Sequence, residues 1–310
     1  MFLIALSTVG IMLLYAVPGF ILVKTKLVKE HGIAGFAALL MYVCQPCLTL
    51  YSFQKVEFSV DIVIGMAIMF GLSTLVMAVV MLTAFLVFRK KYEDARYRVA
   101  SLSVAFGNYT FLGLPLIEAI LPDYGAGAIY SSVFFISMSL LGWTVGCALL
   151  TGDPKACKPL QIVFNPATLA LIVALPLFFL NVHLPDVLGG AVTLVGKMST
   201  PLCMLVVGMR LGASALKEVF TGGLQYIAAA IKQIVVPLFA LLVVYFLPLS
   251  VEMKLTFFAL NCCPVAAVVL TFAEIFGSGQ KSAAKTVLVS TISSIVTMPL
   301  MLMLAEAILL

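Results

Sequence analysis

Long runs of apolar side chains, separated by short polar joints, fill the chain almost from end to end. Within a run such as Ile62 to Phe70 the hydrophobic positions follow neither the alternation of a half-buried strand nor the polar stripe of a soluble amphipathic helix. Helices that are apolar all round, and long enough to cross the roughly 30 Å of a bilayer core, fit the pattern. The pattern predicts ten of them, at 3–23, 33–53, 61–88, 99–121, 127–150, 162–182, 188–208, 223–248, 254–276 and 286–309. The fourth and the ninth are interrupted near the middle by a proline, in the stretches Gly107-Asn108-Tyr109-Thr110-Phe111-Leu112-Gly113-Leu114-Pro115 and Asn261-Cys262-Cys263-Pro264.

Composition agrees with a lipid-embedded chain: 63% of residues are hydrophobic and 10% charged, against roughly 25% charged in soluble domains. An outer-membrane barrel would alternate apolar and polar positions, and these runs do not. The net charge of +5 does not point to nucleic acid, because the basic residues sit in short loops where they set topology. Lys24, Lys26 and Lys29 follow the first run, and Arg89, Lys90, Lys91, Arg96 and Arg98 the third. Lys155 and Lys158 follow the fifth, Arg210 and Lys217 the seventh, and Lys281 and Lys285 the ninth. The other joints hold only Lys55 and Lys254. Since Lys and Arg collect on the cytoplasmic side, the odd-numbered loops are expected inside and both termini outside a cell membrane. The N-terminus lacks a basic n-region and a small-residue cleavage site, so it reads as the first span and not as a leader.

Five spans per half is an odd number, so two related halves must lie upside down relative to each other. The expected units are 1–152 and 162–310, joined by a linker at 153–161. Prolines repeat between them: Pro18 answers Pro176, Pro46 answers Pro201, and Pro115 answers Pro264. Inverted repeats with matched broken helices characterise secondary transporters. A proline cannot donate to the carbonyl four residues back, so Pro115 is expected to free that of Phe111 and Pro264 that of Leu260. The half-helices beginning there would offer unpaired N–H groups and a partial positive charge to an anion. The bland reading is a kinked helix with no ligand.

Polar residues near the breaks are few, and they are the candidate substrate contacts. They are Asn108, Tyr109 and Thr110, with Gly113 and Pro115 shaping the turn, and Asn261 with Pro264 in the ninth run. Gln45, Thr49, Ser139, Ser199 and Thr200 lie in neighbouring runs. Each amide either binds substrate or pins helices together. Intramembrane charge is the sharpest remaining clue. Lys197, beside Ser199-Thr200-Pro201, is the favoured cation, with Lys232 second and Glu118 and Glu274 nearer the ends of their runs. Cys44-x-x-Cys47 has redox or zinc spacing, but it lies inside an apolar run, where packing is the plainer reading. No nucleophile–base or metal motif is present, and no ring or repeated filter suggests a channel, so neither an enzyme nor a bound cofactor is expected.

The stretch from Gly107 to Leu116 resembles the fourth-span motif of the auxin efflux carrier family, which includes plant PIN carriers and bacterial malate or malonate permeases. The resemblance continues at Gln45-Pro46-Cys47-Leu48, from Pro201 to Gly208, and from Cys263-Pro264 to Glu274. It implies an all-α membrane fold of ten helices in two inverted five-helix repeats, with crossed, discontinuous helices 4 and 9. It also implies elevator-type alternating access, with the substrate carboxylate on Asn108 and the crossover at Pro115. The glutamine that precedes a span-5 tryptophan in plant members falls at Ser139 here, before Trp143, which argues against taking auxin as the substrate. The third run lacks the acid–base pair of plant carriers, and the long central loop is missing. The expected partners are a small organic anion and the lipid bilayer, with a homodimer left open. A bile acid:sodium symporter type of carrier and a transporter-derived receptor are the alternatives.

Overall fold

The computed structural model describes residues 2–153, 166–214 and 219–310. Among these the secondary structure is helical, apart from one isolated antiparallel bridge between Gly107 and Val265. In chain order the helices are α1 (Phe2–Lys24), α2 (Glu30–Gln54), α3 (Val60–Lys91), α4 (Ala95–Ala105), α5 (Tyr109–Ile120), α6 (Ala126–Thr151), α7 (Pro166–Phe179), α8 (Asp186–Ala213), α9 (Leu224–Tyr245), α10 (Val251–Asn261), α11 (Ala267–Ile275) and α12 (Gln280–Leu309). Seven of them, α1, α2, α3, α6, α8, α9 and α12, are long and apolar enough to cross a membrane. The expected fourth and ninth runs are each split in two, as α4/α5 and α10/α11. The first residues of the expected sixth run, Cys157 and most of the 153–161 linker lie outside the described residues.

The exterior is apolar and polar side chains turn inward. Leu3, Leu14, Leu82, Val187 and Phe246 are exposed, whereas Gln45, Ser101, Ser131, Lys232, Gln233 and Ser290 are buried. That is the arrangement lipid selects, since a polar group facing hydrocarbon has no partner. Cys44 sits within the apolar core, and Cys47 is half-buried on the next turn.

Prolines shape the helices without always breaking them. Wide turns with i→i+5 hydrogen bonding occupy Leu40–Cys44, Tyr109–Gly113 and Ile231–Val235, and each ends two residues before a proline: Pro46, Pro115 and Pro237. Widening the turn moves the carbonyl that the pyrrolidine ring would otherwise strike. The Asn108 carbonyl accepts from Gly113 N at 3.0 Å as well as from Leu112 N at 3.3 Å. This corrects the expectation for Pro115. It lies inside α5, and the chain is broken upstream, at Phe106-Gly107-Asn108.

Two groups of helices emerge from the packing. In one, α1 lies on α8, and α2 lies on both α7 and α8. Glycines bring these backbones into direct contact. A Cβ on Gly19 would strike the Leu205 carbonyl, one on Gly208 would strike the Ala16 carbonyl, and one on Gly196 would lie 3.0 Å from the Cys47 backbone. In the other group α3 packs on α6, α9 on α12, and α4 against α3, α9 and α12. The groups meet where α1 touches α12 and α5, and where α2 touches α6.

Candidate functional site

The two breaks meet. Phe106 leaves α4 in extended conformation, and two main-chain hydrogen bonds join it to the other break. Asn108 N–H donates to the Pro264 carbonyl at 2.8 Å, and Ala266 N–H donates to the Phe106 carbonyl at 3.0 Å. Each break thus supplies partners that the other helix lost, as a backbone away from water requires. Pro264 brings no N–H and needs no partner for one, which suits it to the gap. Gly107 is required by space: a Cβ there would lie 2.7 Å from the Tyr109 ring and 3.0 Å from Lys232 Cε and Nζ.

Hydroxyls from two flanking helices hold the breaks in place. On α6, Ser131 O–H donates to the Tyr109 carbonyl at 2.6 Å. From α12, Ser290 Oγ accepts from Val265 N–H at 3.1 Å, and its own O–H donates to the Val287 carbonyl at 3.0 Å. Gln233 of α9 donates to the Ser290 carbonyl at 2.5 Å and accepts from Ser293 O–H at 2.6 Å. In the first half, Ser73 and Thr74 of α3 meet Ser137 of α6, at 2.7 and 3.1 Å.

Several predicted residues gather here. Asn108 is buried, with its side chain beside Cys203 of α8. Tyr109 and Thr110 are buried, and Tyr109 O–H donates to the Ala105 carbonyl at 3.0 Å. Gly113 lies where α5 presses on the end of α10, since a Cβ would be 2.7 Å from Leu260 Cδ2 and 3.2 Å from Cys263 Sγ. Asn261 spends its amide donor on the Phe257 carbonyl at 2.9 Å, so its side chain caps its own helix. Gln45 is fully buried and neither end of its carboxamide has a hydrogen-bond partner. Ser199 Oγ is buried in the same condition. The antiparallel packing that sets Gly196 on Cys47 and Leu48 brings Ser199, one turn on, to the level of Gln45. Thr49 donates to the Gln45 carbonyl at 3.2 Å, and Ser139 is buried on α6.

The cation differs from the one expected. Lys197 ends the first segment of α8, before a turn at Met198, and is exposed. Its ammonium lies over the Tyr51 ring, 5.3 Å from the centroid. Tyr51 O–H donates to Glu118 at 3.3 Å, and Lys55 pairs with Glu118 at 2.6 Å. Burial opposes the Lys55 charge, but the hydrogen bonds to Glu118 and Tyr51 outweigh it and raise its pKa. Lys197 therefore belongs to this cluster. The cation at the breaks is Lys232: wholly buried, it donates to the Asn261 carbonyl at 3.1 Å and lies 5.4 Å from the Tyr109 ring centroid. The sequence signal was a lysine inside an apolar run, five residues before Pro237, with no acid in that run.

A narrow pocket runs from the end of the bundle that carries the basic loops to Phe111 and Ala267, the helical residues just past the two breaks; Asn108, Asn261, Pro264 and Lys232 do not line it. Phe111 of α5, Val206 and Arg210 of α8, Ala267 and Thr271 of α11, and Val287 of α12 line it. Ala267 and Val268 form the first turn of α11, where helical N–H groups are unpaired by geometry. Past Arg210, Leu270 and Ala284 the pocket continues into a polar cleft with Glu30, Lys281 and Lys285. Lys281 and Lys285 also border a second cleft beside Arg96. Arg96 is paired with Asp94 at 2.6 Å, and hydrogen bonds from Arg96 hold the Asp94 carboxyl below the usual carboxylate range. The arrangement suits an anion entering past cations toward a helix start; no cluster of metal-ligating side chains exists among the described residues.

A family model described as membrane transport protein matches this chain over residues 4–161 and again over 156–302. No individually curated protein matches it.

Proposed function

Because the chain belongs to the membrane transport protein family, the family of the auxin efflux carriers and of the malate and malonate permeases, we propose that it is a carrier for a small organic anion, with its substrate site where the two breaks meet. The observation that carries this reading is the reciprocal pairing of Asn108 with Pro264 and of Ala266 with Phe106, beside a pocket whose mouth holds Arg210, Lys281 and Lys285. Helix starts and basic side chains both favour a carboxylate.

The reading includes ten spans in two inverted halves, 1–152 and 162–310. Its support is the recurrence of packing pairs: α1 on α8 answers α7 on α2, and α3 on α6 answers α9 on α12. Ser131 beside the first break answers Ser290 beside the second. In this reading α1, α2, α7 and α8 form a frame and the remaining helices move against it in an elevator-type cycle. The basic end faces the cytoplasm by the positive-inside rule. The cluster of Lys55, Glu118, Tyr51 and Lys197 then closes the outer side.

Uptake of radiolabelled mono- and dicarboxylates into proteoliposomes tests the proposal. Saturable, protein-dependent uptake of at least one anion is expected. Flux that rises linearly with concentration, or binding without flux, would refute a carrier in favour of a channel or a receptor.

A further inference from the structure

Lys232 is a costly residue in its position. It is an ammonium in a membrane-spanning helix, fully buried, and no carboxylate pairs with it among the described side chains. A charge so placed is retained only if something offsets its lost hydration. Two helix ends do so. α10 terminates at Asn261, and the Cys262 and Cys263 N–H groups close back onto Phe258, Ala259 and Leu260. The Asn261 carbonyl remains, and Lys232 takes it at 3.1 Å. α4 terminates at Ala105, whose carbonyl is taken by Tyr109 O–H, and the face of that same ring lies under the Lys232 ammonium. The ammonium also stands beside Gly107, the first glycine past α4. Lys232 Nζ thus occupies the space between the C-terminal ends of two half-helices, both of which carry partial negative charge.

In carriers with broken helices, that space is where half-helix C-terminal ends and unwound carbonyls hold a coupling cation. We propose that Lys232 is a tethered replacement for that cation: the protein carries its own monovalent charge at the crossing and takes no alkali ion there. The titratable neighbours of the ammonium are Tyr109, Cys262 and Cys263. The inference rests on reading the crossing as the transport site, but its test requires no substrate.

The test is thermal unfolding of the purified full-length protein in choline chloride, with sodium, lithium or potassium chloride exchanged in at constant ionic strength. The wild type is expected to unfold at the same temperature in all four salts. Lys232→Ala and Lys232→Ser vacate the space and leave the carbonyls, so either variant that folds should gain a saturable upward shift of several degrees with sodium or lithium. Lys232→Met, which fills the space, should gain none. Saturable stabilisation of the wild type by sodium would overturn the proposal without help from any variant. So would folded Ala and Ser variants that respond to no alkali ion. A carboxylate arm in the same assay separates the two readings. If no carboxylate shifts the wild type while the salt results hold, the substrate assignment fails and the tethered charge stands.

Discussion

Asn108 and Pro264 lie 156 positions apart in sequence, yet the N–H of one donates to the carbonyl of the other at 2.8 Å. That bond, with its companion between Ala266 and Phe106, turns two defective helices into one polar junction inside an apolar bundle.

At this junction the side chain of Asn108 is separable from its backbone. Asn108→Ala keeps the bond to Pro264 and deletes the carboxamide. Carboxylate affinity should fall by about 1–3 kcal/mol, the usual cost of a lost buried hydrogen bond, while the unligated unfolding temperature changes little. Thermal shifts against a carboxylate series read both, and unchanged affinity would remove Asn108 from the site.

Gly107 should tolerate no side chain. The added methyl of Gly107→Ala meets Tyr109 and Lys232 within 3.0 Å, and overpacking of this kind costs about 1–3 kcal/mol. Gly35, which has nothing within 4 Å, is the control: Gly35→Ala should be neutral or stabilising by up to about 1 kcal/mol, from helix propensity. Unfolding temperatures of the pair decide; equal effects would contradict the packing.

The basic mouth should act on encounter more than on affinity at the junction. Neutralising Lys281 and Lys285 to Gln is expected to raise the apparent KM for anion uptake several-fold at low salt, with the difference shrinking as ionic strength screens the charges. A salt-independent defect would place these lysines in contact with bound substrate.

Glu118→Gln breaks the pair with Lys55, both side chains being about one-third exposed. The stability cost should stay below about 1 kcal/mol, while thiol reagents added outside should reach a cysteine at Thr49 faster. Unchanged labelling would mean that the cluster closes nothing.

Orientation is read by cysteines at exposed positions. Asp123→Cys and Pro185→Cys should react with an impermeant reagent in intact cells, and Lys281→Cys only after permeabilisation. The reverse pattern would overturn the proposed orientation.

Seven apolar runs long enough to cross a membrane and the two broken runs were legible in the sequence because lipid imposes a strong length and polarity constraint; helix ends were less so, α12 starting at Gln280 and not at 286. The position of the break was less so. Pro115 drew attention, but a wide turn absorbs its ring, and the chain opens at Gly107, whose reason lies in Tyr109 and Lys232. The choice of cation failed for a related cause. Sequence gives a lysine's depth along a helix but not the face it presents: on α8 Lys197 is exposed, while Cys203, Asn108's neighbour, is buried. The mouth drew residues from four separate joints, which only folding brings together.

The glycine contacts between α1 and α8 have a mechanical meaning. Where Gly19 meets the Leu205 carbonyl and Gly208 meets that of Ala16, no side chain lies between the backbones to change rotamer and lubricate a slide. In the proposed elevator cycle that seam is expected to hold as a weld, and shear to fall at the boundaries of α1 with α12 and of α2 with α6, where side chains can re-seat.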